Sequence, residues 1–224
     1  MESAYWRQAW EAKAEEPDFT ASGRSSGDPR QLFAALADVC AALDPNPDDL
    51  LMDLGCGVGL LVRHLVPYVR GVVAADFAVN LLRRAQRQTP TVRFVAADVR
   101  KLPFRSGNFP KVLVSSVLQY LGNDDAVAAA LEEVRRVTAR GGRAFASGNP
   151  DRSRKKAYIA GIDKLDLPEE RKSFIRERNR KAFWLSPETL LRQAEAAGWT
   201  AEVRSISPVI WQSFYMFDLL LIAR

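Results

Sequence analysis

Leu50-Leu-Met-Asp-Leu-Gly-Cys-Gly-Val-Gly-Leu-Leu61 is the stretch that decides how this chain folds. An apolar run, Leu50 to Met52, carries an acid, Asp53, at its end and then breaks into three glycines, Gly55, Gly57 and Gly59. A second apolar segment, Leu60 to Val66, follows at roughly helical spacing. The pattern predicts strand, glycine turn and helix, which aims backbone N–H groups and a helix N-terminus at a ligand. Glycine suits such a turn because it reaches positive φ and because a Cβ would hold the ligand away. The dinucleotide fingerprint needs its third glycine three residues after the second, where this chain has Leu60. No Gly-Lys-Ser/Thr follows, which excludes a P-loop.

Outward from the turn, strand and helix patterns alternate. Gly71 to Ala75 reads as a buried strand closing at Asp76, near the ~20-residue offset of the acid that binds ribose hydroxyls in nucleotide folds. Phe77 to Gln86 reads as a helix, and Val92 to Ala97 as a strand closing at Asp98. Lys111 to Ser115 is a fourth strand, with Ser116-Val-Leu-Gln-Tyr120 coming off its end. Asn123 to Val137 is a helix with early acids and late arginines, stopped by Gly141-Gly142. Arg143 to Ser147 is a fifth strand, then Gly148-Asn149-Pro150. Pro168 opens a helix through Arg180; Ser186-Pro187-Glu188 opens another that Gly198 closes. Thr200 to Ile206 and Ser213 to Ile222 are the last strands. Upstream, Gln31 to Leu43 carries a helical apolar stripe ended by Pro45-Asn46-Pro47.

Asp53-Leu54-Gly55-Cys56-Gly57-Val58-Gly59 resembles the first motif of the class I S-adenosylmethionine-dependent methyltransferases. The spaced acids Asp76 and Asp98 and the strand–helix order are similar too, over about Leu50 to Gly148 and, by pattern, the closing strands. The resemblance implies an α/β, doubly wound, mostly parallel seven-stranded sheet with an antiparallel last strand, helices on both faces and a helical cap inserted after strand five. It implies S-adenosylmethionine as cofactor and S-adenosylhomocysteine as product. Asp53, Gly55, Cys56, Gly57, Asp76, Phe77, Asp98, Val99 and Ser115 would bind that cofactor, Asp98 and the Val99 N–H at the adenine. Residues 1–30 would form a lid, residues 31–224 the methyltransferase domain, and residues 151–184 a cap within it.

Composition sets limits. The 224 residues, 47% hydrophobic and 26% charged, suit one globular domain. No N-terminal segment has signal-peptide character and no run is long enough to span a bilayer, so a cytoplasmic protein that binds no membrane is expected. Cys40, Cys56 and His64 make no metal-ligand spacing, and no metal is expected. The formal net charge of +5 is concentrated: Asp151 to Trp184 holds eleven lysines and arginines against six acids, and the rest balances.

Methyl transfer from a sulfonium is an in-line displacement that positioning can largely drive, so a catalytic side chain is optional, and none is identified. No Asp/Asn-Pro-Pro-Tyr/Phe box, which marks methylases of base amines and glutamine amides, follows strand four. A small-molecule acceptor, acidic or carrier-bound, with O-methylation, is therefore expected. Trp6, Arg24, Gln119, Tyr120, Asn149, Arg154 and Lys155 are its pocket candidates. Two alternatives stand beside it: an RNA methyltransferase using the basic segment as its footprint, and a non-catalytic subunit that binds the cofactor or a partner.

Overall fold

The computed structural model describes residues 2–23, 27–164 and 168–224. In chain order the helices are α1 (Glu2–Glu11), α2 (Asp18–Ala21), α3 (Pro29–Leu43), α4 (Val62–Leu65), α5 (Val79–Gln88), α6 (Asp124–Val137), α7 (Lys155–Ile162), α8 (Glu169–Lys181) and α9 (Pro187–Ala196). The strands are β1 (Leu50–Leu54), β2 (Gly71–Asp76), β3 (Arg93–Ala96), β4 (Phe109–Ser115), β5 (Thr138–Pro150), β6 (Trp199–Arg204) and β7 (Met216–Ala223). They form one sheet in the order β3-β2-β1-β4-β5-β7-β6, with only β7 antiparallel to its neighbours. This is the doubly wound sheet expected from the alternation. The order reverses between β1 and β4, and open α/β sheets bind ligands at the strand ends of that crevice.

Neighbouring residues of the central strands point to opposite cores, which is why these strands read as continuous apolar runs. Met52, Val112, Val114, Ala144, Leu219 and Leu221 pack against α6 and α9. Leu51, Leu113, Phe145 and Leu220 face the other way, against α3 and α4. Trp199 closes the first core. It is fully buried, its indole Nε1 donates to Leu131 O at 3.1 Å, and the Arg135 guanidinium lies over its ring.

Local chemistry sets the boundaries. Asp28 caps α3 by accepting from Arg30 N, Asn123 caps α6 through Ala126 N, and Ser186 caps α9 through Thr189 N. The helix after the glycine turn is shorter than its apolar run: it ends at Leu65 and passes into a tight turn over Val66–Tyr68. Pro67 lacks the N–H that another helical turn would use. The expected stop at Gly141-Gly142 is displaced. Helix α6 ends at Val137, where the Thr138 hydroxyl donates to Val134 O at 2.7 Å, and the chain enters β5 at once. The glycine pair lies inside β5, where the register against β4 slips between Phe109 and Lys111. Strand β5 also runs past Ser147 to Pro150, pairing Asn149 with Phe217. The final strand starts only at Met216, because Trp211–Phe214 wind into a turn of 3₁₀ helix.

Trp199→Ala should lower unfolding free energy by about 3–5 kcal/mol through the cavity it leaves. Trp199→Phe, which keeps much of the ring but removes the indole bond to Leu131 O, should cost about 1–3 kcal/mol through the lost bond and ring volume. Urea denaturation checks both. A cost for the phenylalanine variant equal to that of the alanine variant would show that the hydrogen bond, rather than packing, carries the site.

Candidate active site

Strand β2 builds the glycine turn by holding it from beside. Ala75 O accepts from Gly55 N (2.7 Å) and Cys56 N (3.2 Å), and Asp76 Oδ2 accepts from Gly57 N at 2.8 Å. Asp76 Oδ1 takes Ala78 N at 2.8 Å, just before α5. A carboxylate has about four acceptor positions, so these bonds leave room for a diol. Burial pushes this carboxyl up, against the lowering effect of the amides. Gly55 is required by close approach, since a Cβ there would lie 2.2 Å from Val117 Cγ2. Gly57 has φ +54° with open space where a Cβ would stand, Ala21 O being 3.9 Å away, so a side chain here would occupy ligand space.

Over the turn lies a cavity of about 360 Å³. It brings together Gly55, Cys56, Gly57, Asp76, Phe77, Asp98, Val99 and Ser115 with Trp6, Gln119 and Tyr120. Asp98 is held by Arg100, whose guanidinium and backbone N–H both donate to it; that contact keeps its carboxyl below the usual range. Ser116 adopts φ +56°, a left-handed geometry uncommon for serine, just where the chain turns off β4 toward Gln119 and Tyr120. Gln119 Nε2 donates to the Tyr120 hydroxyl at 2.9 Å, and Gln119 Oε1 is buried without a partner.

The other expected residues stand elsewhere. Asp53 lines an adjoining cavity of about 110 Å³ with Asp38 and Asp218. Burial, and then the charge of Asp76, push Asp53 up to about 7, and its Oδ1 has no partner. Asp218 is also raised to about 7, by burial and by Asp38, although it accepts from Gly148 N at 2.7 Å. Asn149 lines neither cavity: its amide donates to Ala146 O and Phe217 O inside β5. Arg154 and Lys155 also lie outside both, because their cations are committed to other contacts. Arg154 Nη1 donates to Phe214 O, and Lys155 reaches Arg180 O above the Trp184 ring. Arg24 falls outside the described residues.

The cavity also contains residues that the sequence did not single out. Arg7 and Arg178 face it with Asn179, Gln212, Tyr215 and Met216. Nothing in the pattern distinguishes Arg178 from its neighbours in a basic helix, and Tyr215 sits where a strand was expected. The N-terminal segment covers the cavity: Trp6 and Trp10 pack on the Tyr120 ring at 4.7 and 5.5 Å. It is anchored on the far side by Glu11, which accepts from Val79 N (2.8 Å) and Asn80 N (2.7 Å) and so caps α5, a helix with no cap of its own.

With that geometry in hand, comparison with known proteins is decisive. A family model described as "Methyltransferase domain" matches residues 52–146. The demethylmenaquinone methyltransferase of Mycobacterium sp. (strain KMS) is 31% identical over 174 residues, covering 73% of each chain. The chain belongs to the class I S-adenosylmethionine-dependent methyltransferases. The demethylmenaquinone methyltransferase of Beutenbergia cavernae is 35% identical over 102 residues, 46% of this chain and 41% of that one. In fold, the S-adenosylhomocysteine-bound magnesium protoporphyrin IX methyltransferase from Synechocystis aligns over the whole of both chains with TM-score 0.71 and 14% identity. Geranyl diphosphate C-methyltransferase from Streptomyces coelicolor aligns at TM-score 0.67 and 15% identity, over 94% of this chain and 84% of that one. This methyltransferase uses S-adenosylmethionine, and the open space at Gly57 and the strand-end acids Asp76 and Asp98 suit such a ligand. Among the described residues, no helix is long and apolar enough to cross a membrane, and no cluster of metal-ligating side chains occurs.

Gly57→Val should abolish S-adenosylhomocysteine binding in calorimetry while leaving the sheet's circular dichroism intact; retained affinity would place the cofactor elsewhere. Asp53 and Asp218 give a pH signature. A carboxyl raised to about 7 contributes stability that is complete below its unfolded pKa, ~4. That contribution is lost as pH rises through 7. The ligand-free enzyme should therefore become easier to denature between pH 5 and pH 8, by on the order of 1 kcal/mol per pH unit for each group at most. Asp218→Asn should flatten the profile measured by urea denaturation.

Proposed function

We propose that this enzyme transfers a methyl group to the ionisable hydroxyl of a small, largely apolar molecule. The observation that carries this reading is the division of the cavity into two unlike ends. One holds Gly57, Asp76, Phe77, Asp98 and Val99 and would take the cofactor: Asp76 toward the ribose hydroxyls, Asp98 and the Val99 N–H toward the adenine. The other is walled by Trp6, Tyr120, Tyr215 and Met216, apolar surface with a few polar atoms, the usual make-up of a small-molecule site. When bound, S-adenosylmethionine supplies an electrophilic methyl on a sulfonium.

What the chain supplies is position and dryness. The turn and strand ends fix one reactant, and the aromatic wall orients the other against it. Trp6 and Trp10 exclude water, which is the role proposed for residues 1–30 as a lid. No described residue at the acceptor end is a ready base at neutral pH, since burial raises both Tyr120 and Tyr215. The acceptor is therefore one that ionises without a protein base, as acidic phenols and enols do, and its oxygen is the proposed nucleophile. The relatives named demethylmenaquinone methyltransferases support the small-molecule class. The RNA reading is weaker, because cations of the cap are neutralised within the fold: Arg152 on Asp124, Arg176 on Asp163 and Glu169, Lys181 on Glu177.

The test is methyl transfer from labelled S-adenosylmethionine to a panel of phenols and enols, with mass spectrometry of the products. Methylated ethers are expected. Products methylated at carbon would overturn the choice of oxygen, and labelling of RNA alone would overturn the acceptor class. Trp6→Ala combined with Trp10→Ala should speed S-adenosylhomocysteine dissociation at least tenfold; an unchanged rate would reduce the N-terminal helix to packing.

A further inference from the structure

The acceptor end of the cavity holds a cation without a counter-ion. Arg178, half-buried on α8, lines the cavity beside Tyr120 and Tyr215, and among the described residues no hydrogen bond or ion pair engages its guanidinium. Its surroundings make that conspicuous. The acid next to it, Glu177, is turned to Lys181 at 3.0 Å. On the same helix Arg176 takes two acids, Asp163 and Glu169. Arg152 and Arg154, nearer the end of β5, are held by Asp124 and by Phe214 O. A half-buried guanidinium that faces a concave wall with no protein acceptor is open to an anionic ligand, which it can hold with two parallel hydrogen bonds.

Tyr120 supplies a second donor. Its oxygen already accepts from Gln119 Nε2, which leaves the phenolic proton uncommitted among the described contacts. Gln119 is nine-tenths buried, and its Oε1 is unpartnered on the same wall. The positive charge of Arg178 is felt at Tyr120, Tyr158 and Tyr215 alike, lowering each phenol against the upward push of burial. Tyr120 and Tyr215 line the cavity with Arg178 and give it a largely apolar wall against which an ion pair is strong.

We infer that Arg178, with the Tyr120 hydroxyl, forms a carboxylate-binding subsite, so that the acceptor is a hydroxylated aromatic or enolic acid held by its carboxylate while its hydroxyl meets the methyl. This rests on the small-molecule reading above and deepens it. It also moves the anionic contact from Arg154 and Lys155, at the surface of the cap, to the cavity itself. Arg178 is a specificity-determining residue, since it grips a group that does not react.

Calorimetry on the full chain saturated with S-adenosylhomocysteine tests it, using a hydroxynaphthoic acid and the corresponding hydroxynaphthamide as probes. The acid should bind at least tenfold more tightly than the amide. Arg178→Gln should erase that preference and Arg178→Lys should keep part of it, while both retain wild-type affinity for S-adenosylhomocysteine, the control for a folded cofactor end. Equal binding of acid and amide by the wild type, a preference that survives in Arg178→Gln, or no binding of either probe would overturn the subsite. Methylation of neutral naphthols without any advantage for the acid would remove the subsite and leave the small-molecule reading standing. A carboxylate preference that depends on Arg178, in an enzyme that labels only RNA, would sustain the subsite while that reading fails.

Discussion

The bond from Gly57 N to the Asp76 carboxylate is the contact on which the site depends. It joins the ends of two adjacent parallel strands and is charge-assisted, hence stronger than a neutral amide pair. Ala75 O holds the two preceding amides, so the first half of the glycine turn is shaped entirely by β2. The other Asp76 oxygen takes Ala78 N, and the next two amides of that helix end go to Glu11 of α1. One buried acid and one surface acid thus connect turn, helix and N-terminal cover into a continuous run of satisfied N–H groups.

The same node explains the electrostatics behind the turn. Asp53 sits under Gly55 on the strand next to Asp76, out of water, and two buried carboxylates on neighbouring strands cannot both ionise cheaply. Asp76 has the backbone amides, so its ionised form is the better supported, and Asp53 is the one driven toward neutrality. Asp218 is raised too, by burial and by the half-buried Asp38 of α3, which lines the same small cavity. The small rear cavity is acidic, the larger cavity carries Arg178, and the glycine turn lies between them.

Much of this was legible in the residues, and what was not has identifiable causes. Strands buried on both faces announce themselves as apolar runs, and the acids at positions 53, 76 and 98 mark where three of them reach the crevice. Caps made by side chains, Asn123 and Ser186, were visible because the interaction is local. Long-range substitutes were not: the cap of α5 comes from Glu11, far upstream, and nothing near Ala78 hints at it. Gly141-Gly142 read as a helix stop because that is the commoner use of such a pair; Thr138 had already ended the helix by bonding back to Val134 O. Asn149 looked like a pocket residue because it follows a strand end, but β5 continues through it and absorbs its amide.

The basic segment 151–184 shows most sharply why composition under-determines function. Counting charges between residues 151 and 184 finds a surplus of five cations and points to the densest run, Arg152 to Lys156. Density works against availability, however. Closely spaced cations on a folded surface repel each other unless each finds an acid, a carbonyl or an aromatic face, and here Arg152 finds Asp124 and the Phe183 ring, Arg154 finds Phe214 O, and Lys155 finds Arg180 O and Trp184. A cation left over for a ligand is one that the fold brings to a concave apolar wall with no acid in reach. That is a property of where α8 lies against Tyr120 and Tyr215, and no local pattern encodes it. The densest run of charge in the segment and the charge that faces the cavity are therefore different residues, and only the second lies against the cavity wall.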